Sequence, residues 1–431
     1  MTMDVSDGMM KSGLKMAIDY IGKDPDVNMG RLMDWVDRIA GEGPESCEPQ
    51  RKVFRRILEE PDSSMYRLLK NLWTDIDGRV LKTIFENYVL NAKLTGRQQR
   101  EHLGRRYECS IPQVILIEPT SACNLRCSGC GMSRYGSRRD LSFDELDYFI
   151  CQGKELGVYT YIYAGREPLM RKYDLIALCR KHHDCQFLVC TNATLLNEEF
   201  AEKMLELKNL IPVIRLDGFE EEMEGRYGKG TFAKIVEAME ILKKKRLLFG
   251  IHVCYTGGNM EFVSSDSYIG QIMEWGAKFV WYFPYMPVGK SAAGAQAVGE
   301  QPQTISGRQA VPGEPQTVSG RQTVREKLQP TGEQRGFMHQ RVRGLRRTYP
   351  IFAIDFQSGG KYADNCSGGG EYADDCSGDV KQTDGCFGDG RRYLHINADG
   401  DAGPCTSLHY PELNIRRQSL LEILQSPVFT A

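Results

Sequence analysis

Three cysteines within eight residues, Cys123, Cys127 and Cys130, carry the clearest chemistry in this 431-residue chain. They stand in the stretch ILIEPTSACNLRCSGCG, residues 115–131, with the spacing C-x3-C-x2-C. The apolar run Val114–Ile117 leads into a turn at Pro119–Ala122, and the thiols follow. Three thiolates on one loop can converge on one metal centre. A [4Fe–4S] cluster usually takes four thiolates, so three leave one iron open to a substrate or a cofactor. The competing readings are three structural cysteines or half of a zinc site. Zinc knuckles prefer C-x2-C pairs with a second pair nearby.

The surrounding pattern must hold that loop. From 112 to 290 short apolar runs alternate with amphipathic segments. The runs predict strands at Val114–Glu118, Tyr159–Tyr163, Phe187–Thr191, Pro212–Leu216, Phe249–Cys254 and Lys278–Phe283. The segments between predict helices at Ser142–Leu156, Tyr173–Lys181, Asn197–Lys208, Thr231–Arg246 and Ser264–Trp275. Ser142 with Glu145 forms a capping box, and Lys243–Arg246 suits a helix C-terminus. Alternating strands and helices imply an α/β fold with a parallel sheet and right-handed crossovers. Residues 1–110 read as a helical cap, with Leu32, Met33, Trp35, Val36 and Ile39 at helical spacing and a turn at Pro61-Asp62-Ser63.

Composition narrows the function. The formal net charge is −2, which gives no bulk attraction to nucleic acid. No apolar stretch is long enough to span a membrane, and the start has no signal-peptide core. Fourteen cysteines without such a signal point to the reducing cytoplasm and to metal ligation. Cys179, Cys190 and Cys254 sit in apolar patterns and read as small core residues.

Two segments interrupt the pattern. Residues 291–334 repeat SGRQ and GEPQ motifs with little apolar content, and are expected to be disordered. Residues 335–356 return to a basic helix, with Phe337, Val342 and Leu345 on one side, and a strand at Ile351–Phe356. Residues 357–385 hold a ten-residue repeat, GGKYADNCSG and GGEYADDCSG, read as a duplicated insertion; a metal-binding loop with Cys366 and Cys376 is the rival reading. Residues 386–431 begin C-x13-G-x4-C, with Cys386, Gly400 and Cys405, around a hairpin turn at Asp399-Gly400.

The cysteine spacing resembles the signature of the radical S-adenosylmethionine (SAM) superfamily. The C-terminal pattern resembles the SPASM and twitch extensions of that family. The likeness covers most of 112–290 and 386–426. It is nearest to a bacterial subgroup with the segment YMPVG, here Tyr285–Gly289. It implies an open, partial (β/α)6 barrel with chemistry at the C-terminal strand ends, an N-terminal helical cap and a small C-terminal hairpin extension. It further implies a [4Fe–4S] cluster on Cys123, Cys127 and Cys130 with SAM on the open iron. Reductive cleavage of SAM then yields a 5′-deoxyadenosyl radical that abstracts hydrogen from a peptide or a small metabolite. A reductant such as flavodoxin or ferredoxin is the implied partner. Cys386 and Cys405 match ligands of a second [4Fe–4S] cluster. No cysteine follows Cys405, so the chain is truncated, Cys366 and Cys376 substitute, or the auxiliary site is incomplete.

The resemblance also assigns pocket residues. Gly165, Arg166, Glu167 and Pro168 match the Gly-Gly-Glu-Pro motif that holds the SAM amino group, with Arg166 in place of a glycine. Thr191-Asn192-Ala193 matches Thr-Asn-Gly. Arg215 and Asp217 end the fourth strand, and Arg215 stands where the family often has serine. Arg226 matches an arginine that clamps the SAM carboxylate, and Met286 would lie against the adenine. No substrate-directed catalytic acid, base or anchor is identified; His252, Cys254 and Tyr282 lie near strand ends. Arg166, Arg215 and the insertions motivate an alternative, an inactive paralogue serving as an iron–sulfur scaffold. A zinc-binding interaction protein is the third reading.

Overall fold

The computed structural model describes residues 25–40, 48–127, 130, 139–285, 329–356, 393–405 and 408–430. Met286, Cys366, Cys376, Cys386 and the two repeat segments 291–328 and 357–385 lie outside them.

Helices α1 (Pro25–Ala40), α2 (Glu48–Glu59), α3 (Ser64–Asp75) and α4 (Gly78–Ile84) lead into a π-helical stretch, Phe85–Thr95, and α5 (Gly96–Tyr107). Ser63 caps α3 by accepting from the Tyr66 N–H, as the Pro-Asp-Ser turn predicts. Then come β1 (Val114–Ile117), α6 (Phe143–Glu155), β2 (Thr160–Tyr163), α7 (Lys172–Lys181), β3 (Gln186–Thr191), α8 (Glu198–Leu207) and β4 (Leu210–Arg215). The chain continues through α9 (Glu220–Tyr227), α10 (Thr231–Lys244), β5 (Gly250–Tyr255), α11 (Met260–Val263), α12 (Asp266–Glu274) and β6 (Phe279–Pro284). It goes on to α13 (Gly332–Thr348), β7 (Phe352–Asp355), β8 (Tyr393–Ile396), β9 (Asp401–Cys405), β10 (Leu408–Asn414), α14 (Leu420–Leu424) and α15 (Pro427–Thr430). Among the described residues no helix is long and apolar enough to cross a membrane.

The six strands expected from the apolar runs are present and pair in parallel, in chain order. The sheet is wider than six strands. β7 pairs in parallel with β6, and β8 pairs in parallel with the other edge of β1. β9 and β10 follow as antiparallel neighbours, which gives ten strands among the described residues. Gly400, at φ +85°, makes the turn between β8 and β9.

Side-chain period separates the two faces of this sheet. Tyr161, Tyr163, Phe187, Val189, Ile251, Val253, Val280 and Tyr282 are fully buried beneath the helices. Ile162, Leu188, Cys190, Arg215, His252, Trp281 and Phe283 alternate with them and are half-buried on the concave side. Cys179 and Cys254 are buried, as expected, and Cys190 is half-buried on the concave face. Helix α13 starts at Gly332, inside the stretch expected to be disordered, because Thr331 and Gln334 form a capping box. Its buried stripe is Met338, Val342 and Leu345, at helical spacing, while Phe337 lies one position off it and is exposed.

The N-terminal helices close the end of the barrel where the strands begin. Arg246 donates to the carbonyls of Thr74 and Ile76, and Lys278 pairs with Asp75. Asn87 donates to the carbonyls of His183 and Cys185, and buried Arg100 donates to the carbonyl of Gly157. Each barrel partner lies just before β2, β3, β5 or β6.

Asn209, fully buried before β4, gathers the turn between α7 and β3. Its Nδ2 lies 3.0–3.3 Å from the carbonyls of Cys179, His182 and Cys185. Asn209→Ala leaves those acceptors short of a donor. It is expected to destabilise the protein by about 2 kcal/mol, read as a lower urea midpoint at unchanged slope.

Candidate active site

The loop after β1 is fastened before it reaches the thiols. Thr120 Oγ1 donates to Asp140 Oδ1 at 2.8 Å, and the Ser121 N–H donates to the same oxygen at 3.2 Å. Arg171 donates to the carbonyls of Pro119 and Leu141. The Glu167 N–H, in the loop after β2, donates to the Ala122 carbonyl at 3.2 Å. Asn124 bonds the end of β3 twice, to Thr194 Oγ1 at 2.8 Å and Asn192 Nδ2 at 3.0 Å. These contacts set Cys123 and its successors at the C-terminal mouth of the barrel.

Cys123, Cys127 and Cys130 are each half-buried and lie within one another's electrostatic reach. Burial and then the neighbouring thiols push Cys127 up to about 11, and burial raises Cys123 as well. A loop that crowds three thiols and makes Cys123 and Cys127 hard to ionise favours a cation shared among them. The Leu125 N–H points at Cys123 Sγ, 3.4 Å away, an arrangement that stabilises a ligating thiolate. The residues present therefore fit a metal cluster.

The pocket residues fall around this mouth. Gly165 is exposed, at φ +100°, and a Cβ there would stand 2.9 Å from the Glu118 side chain. The position demands glycine. Arg166 does not share that constraint, because its φ lies outside the positive region. Its positive charge eases the ionisation of Cys123. Ala193, where the family motif has glycine, does adopt a left-handed φ of 61° and is fully buried. Glu167 is fully buried as well. Its Oε1 accepts from Thr191 Oγ1 at 2.6 Å and the Leu169 N–H at 3.0 Å, and its Oε2 from the Asn192 N–H at 2.8 Å. Burial raises its pKa, and these three donors oppose that rise. Pro168 opens the short 3-10 turn Pro168–Arg171 that leads into α7.

Arg215 and Arg226 converge on one carboxylate. Buried Asp217 Oδ2 accepts from Arg226 Nη1 at 2.7 Å, Arg215 Nε at 3.2 Å and the Tyr227 hydroxyl. Its Oδ1 accepts from the Cys254 N–H at 2.7 Å. Burial works against the Asp217 charge, but the two guanidiniums and the hydroxyl outweigh it and hold the pKa below the usual range. Two cations against one anion leave a net positive charge, and it is felt at Cys127. His252, register partner of Arg215, is pushed down to about 3 by burial and by that arginine, so it is neutral. It stacks on Phe283 at 4.5 Å. Tyr282 donates to the Val263 carbonyl and belongs to the core.

Sequence reasoning missed the parts that hold these groups: Asp140, Tyr227 and Asn259, whose Nδ2 donates to the Asp217 carbonyl. It also missed that β8 brings buried His395 to 3.2 Å from Glu118, beside Gly165. Cys405 ends β9, two strands from β1.

A parallel partial barrel with three thiols at its C-terminal mouth defines a class, and comparison places it. Residues 117–265 match the radical SAM superfamily and residues 386–431 the SPASM iron–sulfur cluster-binding domain. The chain therefore contains a region that matches the radical SAM domain and a C-terminal region that matches the SPASM domain. It is 28% identical over 187 residues to an AdoMet-dependent heme synthase of Methanosarcina barkeri, covering 42% of this chain and 53% of that protein. It is 27% identical over 175 residues to a cysteine-type anaerobic sulfatase-maturating enzyme of Clostridium perfringens, covering 36% and 47%. Matches of this kind span about half the length of those relatives. Streptococcus suis SuiB bound to S-adenosylmethionine shares the fold, with a TM-score of 0.52, 15% identity, and coverage of 78% of this chain and 71% of that one.

Two outcomes are expected. Asp217→Asn leaves two buried-edge guanidiniums without their anion and should lower stability by about 3 kcal/mol. The Asp217 contribution is present in full above the ordinary carboxyl value of 3.8 and fades as pH falls through its lower folded pKa. The acid limb of a stability–pH curve should therefore flatten in the variant. Arg166→Gly, at a position with no special backbone need, should change SAM affinity by less than about threefold, measured by equilibrium dialysis against labelled SAM.

Proposed function

We propose that the chain is a radical SAM enzyme acting on a peptide or a small metabolite. Cys123, Cys127 and Cys130 would hold a [4Fe–4S] cluster, and SAM would bind beside it at the strand ends. Together the reduced cluster and SAM would supply a 5′-deoxyadenosyl radical for hydrogen abstraction from the substrate.

The observation that carries this reading is the fastened three-thiol loop facing a net positive pair, Arg215 and Arg226 on Asp217. The chain's own residues divide the work. The β1 loop positions the thiols, and Glu167 locks the ends of β2 and β3 without facing solvent. Gly165 leaves backbone exposed for the SAM amino group. The surplus positive charge suits the SAM carboxylate. Neutral His252 and Phe283 present a flat, weakly polar wall on the concave face. The peptide reading draws on the SPASM extension and on similarity to a sulfatase-maturating enzyme and a PqqA peptide cyclase; the metabolite reading draws on the heme synthase. A reducing cytoplasm and a low-potential donor such as flavodoxin or ferredoxin fit this chemistry.

A scaffold role without turnover is the second reading, and Arg215, which stands where the family often has serine, is the residue that favours it. One assay separates the two. Protein reconstituted anaerobically with iron and sulfide should convert SAM to 5′-deoxyadenosine when a strong reductant is added. Cys127→Ala should abolish both that product and the visible iron–sulfur absorption. A loaded wild-type cluster that never cleaves SAM would leave only the scaffold.

A further inference from the structure

Away from the mouth, on the outer helical layer, three ligand-type side chains meet. Asp147 and Cys151 lie one turn apart on α6, and His182 follows directly after α7. One ligand atom from each lies within 4.8 Å of the other two. His182 Nε2 stands 2.9 Å from Asp147 Oδ1. The His182 ring is buried, while Cys151 and Asp147 are half-buried, so an ion has access.

We infer that Asp147, Cys151 and His182 form a site for a zinc-class divalent ion, separate from the cluster cysteines. The donor set of thiolate, imidazole and carboxylate suits zinc. Tetrahedral bonds of about 2.0–2.3 Å put ligand atoms roughly 3.5 Å apart, within reach of the separations seen here. Burial lowers the His182 pKa, so its ring is neutral and able to ligate at neutral pH. Asp147 divides its oxygens. Oδ1 faces His182, while Oδ2 accepts from Lys181 Nζ at 2.7 Å. Oδ1 can therefore turn to the ion while Lys181 orients the other oxygen. The remaining charges nearby, Lys154 and Asp184, pair with each other at 2.8 Å. Binding displaces the Cys151 proton to solvent and moves the His182 ring proton to Nδ1, so affinity rises with pH. Three protein ligands leave a fourth position for water.

The bland reading is an ion-pair clip between α6 and α7, with Cys151 incidental. α6 also receives the C-terminal segment: Gln152 Oε1 accepts from the Leu420 N–H at 2.6 Å, and Arg416 pairs with Glu145. A bound ion would stiffen the helix pair on which that segment rests.

The test uses full-length protein with its clusters loaded, titrated anaerobically with zinc(II) against a chromophoric chelator. Iron is counted before and after. The wild type should take up one zinc without losing iron. Cys151→Ser, a near-isosteric change, should weaken that binding roughly 100-fold or more, and His182→Gln should do the same. Lys181→Met removes no ligand, frees Asp147 and should tighten binding. Equal zinc affinity in all four proteins, or uptake matched by loss of iron, would overturn the site. The readout is independent of SAM cleavage, so failure here leaves the proposed activity standing.

Discussion

A single buried carboxylate ties together the strand ends on which this site depends. Glu167 stands in the loop after β2, bonds the end of β3 through Thr191 and Asn192, and uses its own N–H to hold the cysteine loop after β1. Burying a carboxylate is unfavourable unless donors surround it. Three donors do, and the arrangement is consequently rigid. Among the described residues, the three-thiol loop has no helix or strand of its own to give it shape. Its geometry is borrowed from Glu167, Asp140 and Asn124, so small polar groups decide where the sulfurs stand.

The barrel is polarised along its strands. Helices of the N-terminal region seal the end where strands begin, through Arg246, Lys278, Asn87 and Arg100. The opposite end keeps half-buried and charged groups on its concave face. The extension completes one edge of this mouth: β8 pairs with β1 over four residues and sets His395 against Glu118. Any ligand held near Cys405 would share a sheet with the strand that feeds the three thiols.

Much of this architecture was legible in the sequence, for a physical reason. Each barrel strand is a short apolar run buried on its helix-facing side, so the six strands and five intervening helices stand out. Helix α9 did not, because Glu220, Glu221 and Glu222 begin it and only Met223 and Tyr227 are buried. The β1–β8 pairing was illegible because it joins residues far apart in the chain, and no local pattern records such a register. The thiols were legible by spacing alone. Their setting was less so: Arg215 and Arg226 could be named, but not that Asp217 would gather both. Residue 166, where the family motif has glycine, has no positive φ; the left-handed backbone belongs to Gly165 and Ala193.

The central claim is that SAM binds at the iron that the three thiols leave open. Electron paramagnetic resonance of the reduced, reconstituted protein tests it most directly, with and without SAM labelled at its amino nitrogen or carboxylate oxygen. The account predicts a shifted cluster signal carrying hyperfine coupling from the label. An identical signal with no coupling, at a SAM concentration that saturates binding, would contradict it.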